Sequence, residues 1–233
     1  MCKKLKETRE DRIAKYSAMV KEDPENSNAR GRLRDNLNSW YENDVQVTVQ
    51  VANNEQLPWT MAEVGLPLEP MLTKKTTSRS QVGDYNFTVI YKDRATTGGI
   101  VGERKSFSDL LGTLSDHEHY INLMQEVERF NADERFSIFK IYAECSKPEF
   151  MNWKPPEITH YKKWQKDKDY VKKDPEKRLK DWQAVMRGKI ATLQARGASV
   201  SWEGSRQEAA LQFNNDVRHW CLKNYEKIVG VSE

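Results

Sequence analysis

Residues 82–111 read VGDYNFTVIYKDRATTGGIVGERKSFSDLL, and they contain two runs that are typical of β-strands. These runs are Tyr85–Tyr91 and Ile100–Lys105, and the segment KDRATTGG joins them. Gly98-Gly99 supplies the backbone freedom that a turn requires, so we expect a hairpin here.

A helix is predicted directly after Lys105. Ser106 and Asp109 stand three residues apart, close to a capping-box pattern, and Phe107, Leu110, Leu111 and Leu114 recur at helical spacing. We expect this helical stretch to run to about residue 130, with a bend near residue 115.

The rest of the chain alternates between the two periods. Val45–Val51 (VQVTVQV) repeats every second residue and predicts a strand, and Phe136–Ala143 and Ala198–Trp202 predict two more. Helices are predicted at about 4–20, 27–40, 58–65, 176–195 and 205–228. Strands that alternate with helices after an opening hairpin indicate an α/β protein with a central mixed sheet flanked by helices. We expect residues 1–40 to form a helical N-terminal arm and residues 41–233 to form the main domain.

Composition excludes several classes of protein. Of the 233 residues 31% are charged, but 7 Trp, 9 Tyr and 7 Phe are enough to build a core, which argues against wholesale disorder. No run of 18 apolar residues predicts a membrane span, and the charged start MCKKLKETRED predicts a cytoplasmic, nucleoid or nuclear protein that is not secreted. The three cysteines form no CxxC pair, so we expect neither a disulfide framework nor a zinc knuckle.

Asp84, Glu103 and Lys105 are the candidate chemical groups. Antiparallel pairing of the two strand-like runs would bring Asp84 and Glu103 close together, and two carboxylates with a neighbouring backbone carbonyl suit Mg²⁺ or Mn²⁺. Lys105 is two residues from Glu103, so both side chains leave the same strand face. An ammonium beside such a site suits phosphodiester hydrolysis.

The pattern GDY…ERKSFSDLL resembles the signature GD…ERKxxxD of XPF-type structure-specific DNA nucleases, a branch of the restriction-endonuclease-like PD-(D/E)xK fold. The segments around residues 49–55, 136–144 and 200–213 resemble further parts of that domain in the same order. The resemblance implies a metal-dependent endonuclease that acts on branched or flapped DNA and forms a homodimer through the nuclease domain.

The same resemblance assigns roles to residues. Asp84, Glu103 and the Arg104 carbonyl would hold Mg²⁺ or Mn²⁺, with Glu55 as an auxiliary ligand, and Lys105 would position or activate water. The Arg104 side chain would either form an internal ion pair or contact substrate. Asp109 would be either a helix cap or a partner of Lys105.

The chain departs from the family pattern in two places. Ala52 stands where the family has Asp, and Asn54 stands where it has Arg, so one carboxylate is missing from the first wall of the site. The family's tandem helix-hairpin-helix module is also absent from this sequence. A second hypothesis is therefore a catalytically degenerate nuclease-fold protein that binds DNA or a partner nuclease.

Residues 146–181 have no counterpart in the family core. The wider segment 146–190 holds 13 Lys and Arg against 7 Asp and Glu. The insertion is either a satellite core with solvated lysines or a DNA-contact element. In the second interpretation the DNA-binding residues are Lys162, Lys163, Trp164, Lys166 and Lys168.

Overall fold

The computed structural model describes residues 7–53, 55–70, 82–153 and 175–230. Within these ranges, seven strands form one mixed sheet: β1 (Val45–Val51), β2 (Leu68–Pro70), β3 (Tyr85–Tyr91), β4 (Arg94–Thr97), β5 (Ile100–Lys105), β6 (Ile138–Ala143) and β7 (Ala198–Trp202). The strand order is β2-β1-β3-β5-β6-β7, and β4 pairs with β3.

Helices cover both faces of this sheet. They are α1 (Arg9–Glu22), α2 (Ser27–Asp44), α3 (Met61–Val64), α4 (Phe107–Ser115), α5 (His117–Asn131), α6 (Lys147–Met151), α7 (Pro175–Ala195), α8 (Arg206–Lys223) and α9 (Tyr225–Val229). The predicted α/β class, with a mixed sheet flanked by helices and helices at the N-terminus, is confirmed.

Two hydrophobic cores lie on opposite faces of the sheet. One joins α1, α2, α3, α8 and α9 to β1 and β3, and it includes Trp40, Tyr85 and Phe213. The other joins α4, α5, α6 and α7 to β5 and β6, and it includes Val101 and Phe139. Because successive side chains of a strand point to opposite faces, neighbouring residues of β5 and β6 enter different cores.

The helical N-terminal arm packs on the sheet. Ile13 of α1 and Trp40 of α2 are buried in the same core as the strands, and α2 runs on to Asp44, four residues beyond the predicted end. Thr8 and Asp11 form a capping box at the start of α1, which begins at Arg9, and residues 1–6 lie outside the described ranges.

A hairpin forms in this region, but its second arm is β4, a strand that was not predicted, and its turn lies elsewhere; β5 pairs with β3 only at Tyr85↔Gly102. β3 pairs with β4 through Tyr91↔Arg94, so the chain reverses at Lys92-Asp93, where Lys92 has a positive φ of 52°. Gly98 and Gly99 instead separate β4 from β5. A Cβ on Gly98 would stand 2.3 Å from the Phe87 ring, so this glycine is needed for close packing rather than for the turn.

Three other boundaries differ from the predictions. The predicted bend near residue 115 is a break at Asp116, which ends α4 and whose side chain accepts a hydrogen bond from the His119 N–H at the start of α5. The last helix is likewise divided at Asn224. Strand β2 was not predicted, and it pairs in parallel with the end of β1.

Only the two ends of the 146–181 insertion are described. Phe150 of α6 is fully buried, and its ring contacts Trp182 of α7, as does the ring of Trp153. Phe150 and Trp182 thus pack in the core that lies against β5 and β6, so these two ends of the insertion do not form a separate satellite core. The proposed DNA-contact residues Lys162, Lys163, Trp164, Lys166 and Lys168 lie outside the described residues. No helix in the described ranges is long and apolar enough to cross a membrane.

Candidate active site

The ends of β3 and β5 bring Asp84, Glu103 and Lys105 together. Tyr85 pairs with Gly102 in antiparallel register, so the next pair of residues along the two chains is Asp84 and Glu103. Directly opposed residues in such a pair have Cβ atoms about 5 Å apart and project to the same face. Lys105, two residues along β5, shares this face.

A left-handed turn at Gly83 precedes Asp84. Gly83 has a φ of 71°, and a Cβ at this position would lie 2.2 Å from Val101 Cγ1. The Asp84 N–H donates to the Gly102 carbonyl at 2.9 Å, and the Asp84 carbonyl accepts from the Ala52 N–H at 2.8 Å. The Asp84 backbone is therefore held from both neighbouring strands. Ala52 lies beside Asp84 and contributes no carboxylate.

Charge-assisted contacts hold the functional groups themselves. Asp84 Oδ2 accepts a hydrogen bond from the Arg104 N–H at 2.9 Å. The Lys105 ammonium lies 2.7 Å from Glu103 Oε1, and Glu103 is only 5% exposed. The polar groups are thus fixed within an interior environment, where electrostatic interactions are strong.

The pKa values of Asp84 and Lys105 are shifted by their charged neighbours and by burial. Burial, and then the nearby Glu103 carboxylate, raises the pKa of Asp84 well above its usual range, although the Lys105 ammonium opposes this. Burial favours the neutral amine of Lys105, but the Glu103 carboxylate outweighs burial and the pKa of Lys105 rises. The Asp84 and Glu103 carboxylates therefore both interact with the Lys105 ammonium in a poorly solvated environment.

Glu126 of α5 is a member of this cluster that the sequence analysis missed. Its Oε1 accepts a hydrogen bond from the Gly83 N–H at 2.6 Å. Burial, and then the Glu103 carboxylate, raises the pKa of Glu126 to about 7. The sequence does hold a signal for it. Glu126 falls on the same helical stripe as the buried Leu123, Val127 and Phe130, where an ionisable residue is unexpected.

The Arg104 side chain leaves β5 on the opposite face. Its guanidinium lies 3.1 Å from Glu55 Oε1 and 3.1 Å from Glu144 Oε1, and all three side chains are at most 8% exposed. Burial disfavours the charged guanidinium, but the Glu144 and Glu55 carboxylates outweigh it and raise the pKa of Arg104. Of the two roles considered for this side chain, the geometry matches the internal ion pair.

Glu55 and Asp109 do not join the carboxylate cluster directly. Glu55 is engaged by the guanidinium of Arg104, so its role as an auxiliary metal ligand stays a prediction. Asp109 is exposed, and its Oδ2 accepts from the Ser106 hydroxyl at 2.6 Å while its own N–H donates to Ser106. This is the helix-cap arrangement at the start of α4.

The oxygen donors present fit a hard divalent cation. Among the described residues, no group of three or more His, Cys, Asp or Glu side chains is arranged to hold a metal ion. The donor set is smaller: the Asp84 and Glu103 carboxylates and the Arg104 carbonyl. Because the Arg104 N–H points to Asp84, its carbonyl points to the same neighbouring strand. A cation there would relieve the repulsion that raises the pKa of Asp84.

Comparison with known proteins gives two similar solved structures. XPF from Aeropyrum pernix is 16% identical with a TM-score of 0.40, and the match covers 78% of this chain and 71% of that chain. XPF from Aeropyrum pernix in complex with DNA is 16% identical with a TM-score of 0.39, and the match covers 76% of this chain and 66% of that chain. No protein-family model and no curated protein matches the sequence. Similarity this low carries over no activity.

Proposed function

We propose that this protein is a divalent-metal-dependent endodeoxyribonuclease of the XPF type, which hydrolyses phosphodiester bonds in branched or flapped DNA. The observation that carries the proposal is the placement of the Asp84 and Glu103 carboxylates and the Lys105 ammonium on one face of two neighbouring strands. This placement of residues of the GD…ERK pattern is what supports the proposal of phosphodiester hydrolysis.

The proposed mechanism divides the work among these residues. Asp84, Glu103 and the Arg104 carbonyl would hold Mg²⁺ or Mn²⁺, which, when bound, stabilises negative charge that develops on the phosphate. Lys105 has three N–H donors, and one of them is directed at the Glu103 carboxylate. Its remaining donors would orient the attacking water and stabilise the phosphate oxygens in the transition state.

The Arg104 side chain stabilises the site from the opposite face of the sheet. Its ion pairs with Glu55 and Glu144 fix the middle of the Glu103–Lys105 segment from the opposite face of the sheet. Arg104 therefore acts on the reaction through its carbonyl and through the conformation of β5.

The same proposal includes the DNA and the assembly. The insertion residues Lys162, Lys163, Lys166 and Lys168 would contact phosphates and Trp164 would stack on an unpaired base, and two copies would associate through the nuclease domain. Each lost phosphate contact lowers the slope of log K against log salt by about 0.9 for duplex DNA. Changing the four lysines to Gln should therefore flatten that slope by one or more units.

The decisive experiment uses purified protein with labelled flap, fork and duplex DNA in Mg²⁺, Mn²⁺ or EDTA. We expect cleavage of the branched substrates that EDTA stops and that Asp84→Asn or Glu103→Gln abolishes, while DNA affinity stays within a few-fold. Asp93→Asn is a matched control, because Asp93 lies exposed in the β3–β4 turn. Full cleavage by Asp84→Asn would refute the site assignment.

One observation favours a second function, a catalytically degenerate protein that binds DNA or a partner nuclease. Ala52 lies beside Asp84, where the family carries a further carboxylate. DNA binding without cleavage of any substrate in either metal would support this alternative. Restoring the carboxylate by Ala52→Asp should then increase metal affinity.

A further inference from the structure

Glu126 contacts the backbone beside Asp84, although the proposed mechanism assigns it no role in holding the metal or the water. It is carried by α5 rather than by the strands, and its Oε1 accepts from the Gly83 N–H at 2.6 Å. Gly83 is the residue directly before Asp84. Glu126 is half-buried, and partial loss of hydration makes a carboxylate costly unless it is hydrogen-bonded, so its bond to this loop N–H matters for how the loop is held.

Two hydrogen bonds fix the conformation of Gly83. The peptide group before it is held by Glu126, and the peptide group after it is held by the Asp84 N–H, which donates to the Gly102 carbonyl at 2.9 Å. Glycine has more conformational freedom than any other residue. With both flanking peptide planes held, its φ of 71° is fixed, and with it the direction in which the Asp84 side chain leaves the backbone.

We propose that Glu126 is a positioning residue, which holds the Gly83 turn so that the Asp84 carboxylate faces Glu103. The inference rests on the proposed function, since it gives Asp84 and Glu103 the task of holding a divalent cation. Glu126 acts through the backbone of Gly83. The hydrogen-bond acceptor, and not the charge, is the required property.

Three substitutions separate the acceptor from the charge. Glu126→Gln keeps an acceptor oxygen at the same reach and removes the charge. Glu126→Asp keeps the charge but is one methylene shorter, which withdraws the acceptor from Gly83. Glu126→Leu removes both. The same changes at Glu128 are the control, because Glu128 lies two residues further on α5 and is 58% exposed.

Four measurements are made on each variant at a temperature well below its melting point. Mn²⁺ affinity is measured by electron paramagnetic resonance, and the Gly83 amide proton is followed by NMR. Single-turnover cleavage and DNA affinity are measured separately.

Glu126→Asp and Glu126→Leu should lose 10–100-fold in Mn²⁺ affinity and in cleavage rate, the range that is typical when a partner that orients a ligand is removed. Their Gly83 amide proton should move upfield, while DNA affinity stays within a few-fold. Glu126→Gln should stay within a few-fold of the wild type in every measurement. If Glu126 served only for packing, its variants would lose stability. Glu126→Gln would then not restore Mn²⁺ affinity and cleavage, and Glu126→Asp would not lower them.

Wild-type Mn²⁺ affinity in Glu126→Asp, or a loss in Glu126→Gln as large as in Glu126→Asp, would overturn the inference. If Glu126→Leu does not fold, Glu126→Asp and Glu126→Gln still decide it. Mn²⁺ binding that Asp84→Asn leaves unchanged would instead contradict the proposed function. The Gly83 amide shift would then still show whether Glu126 holds the turn.

Discussion

Replacing Arg104 by Met should destabilise the protein strongly, because it would leave two buried carboxylates without their cation. Glu55 and Glu144 are each 8% exposed, and each has an oxygen 3.1 Å from the guanidinium. Removal of one partner from a buried ion pair typically costs about 3–5 kcal/mol. Arg206 lies 3.9 Å from Glu144 and compensates in part, so we expect the lower end, about 3 kcal/mol.

Thermal unfolding of the apo protein measures this loss. For a chain of this length, about 3 kcal/mol corresponds to a fall in Tm of about 10 °C. Arg135→Met is the matched control, because the Arg135 side chain is 65% exposed where it pairs with Asp133. An exposed pair of this kind contributes at most about 1 kcal/mol.

A double-mutant cycle then tests the cause. Arg104→Met in a Glu55→Gln, Glu144→Gln background should cost less by about 2 kcal/mol than in the wild type, because no buried anion is left unpaired. Equal costs in the two backgrounds, or a Tm for Arg104→Met within 2 °C of the wild type, would refute the assignment of Arg104 to an internal ion-pair network.

Three further changes have defined outcomes. Lys105→Met should lower the single-turnover cleavage rate by at least about 100-fold with little change in DNA affinity, because the loss falls in the transition state. Gly83→Ala should cost about 2 kcal/mol or more and reduce cleavage, because φ is positive and the new Cβ would meet Val101 at 2.2 Å. The hydrogen-bonded Arg206 guanidinium lowers the pKa of Glu63 to about 2. Glu63→Gln should therefore lower unfolding free energy by about 2 kcal/mol at pH 7, and the difference from wild type should vanish as the pH falls from 4.5 towards 2.

For each of these three predictions a specific result would contradict it. Loss of Mn²⁺ affinity in Lys105→Met equal to its loss of rate would make Lys105 a structural residue. A stable and active Gly83→Ala variant would contradict the left-handed turn. A Glu63→Gln deficit that persists at pH 2 would show that packing, and not the ion pair, stabilises that corner.

The sequence predicts the sheet well because its strands carry local patterns. Val45–Val51 alternates over its whole length, and it pairs with all seven residues of β3. The short strands lack such a pattern. Leu68–Pro70 is a strand only because its backbone pairs with β1, and Arg94–Thr97 is polar and mostly exposed. The glycine pair 98-99 misled the turn prediction, because glycine also serves where a ring packs against the backbone.

Only some of the contacts in the candidate site could likewise be predicted from the sequence. The sequence predicts that Asp84 and Glu103 lie close together, since each stands at one end of a strand-like run and antiparallel pairing of the two runs opposes these ends. The contacts of Glu126 and Glu144 could not be predicted, because α5 and the end of β6 reach the site only through packing of the cores. Glu144 follows β6, which pairs with β5 in parallel, and no local pattern shows that it meets Arg104.

The two faces of strand β5 carry different arrangements of charge: matched ion pairs on one face and an excess of carboxylates on the other. On one face Arg104 is placed between Glu55 and Glu144, and Trp59 Nε1 donates to Glu144 at 3.2 Å, so the carboxylates there are matched by fixed donors. On the other face the carboxylates of Asp84, Glu103 and Glu126 surround the ammonium of Lys105, and burial raises the pKa of both Asp84 and Glu126. Stability alone would favour the first arrangement, because unmatched buried anions cost free energy. The second arrangement is reasonable when a further cation belongs to the working state, and it lies where the Arg104 carbonyl also points. The alternation of a single strand thus separates the charges that hold the fold from those proposed to perform the reaction.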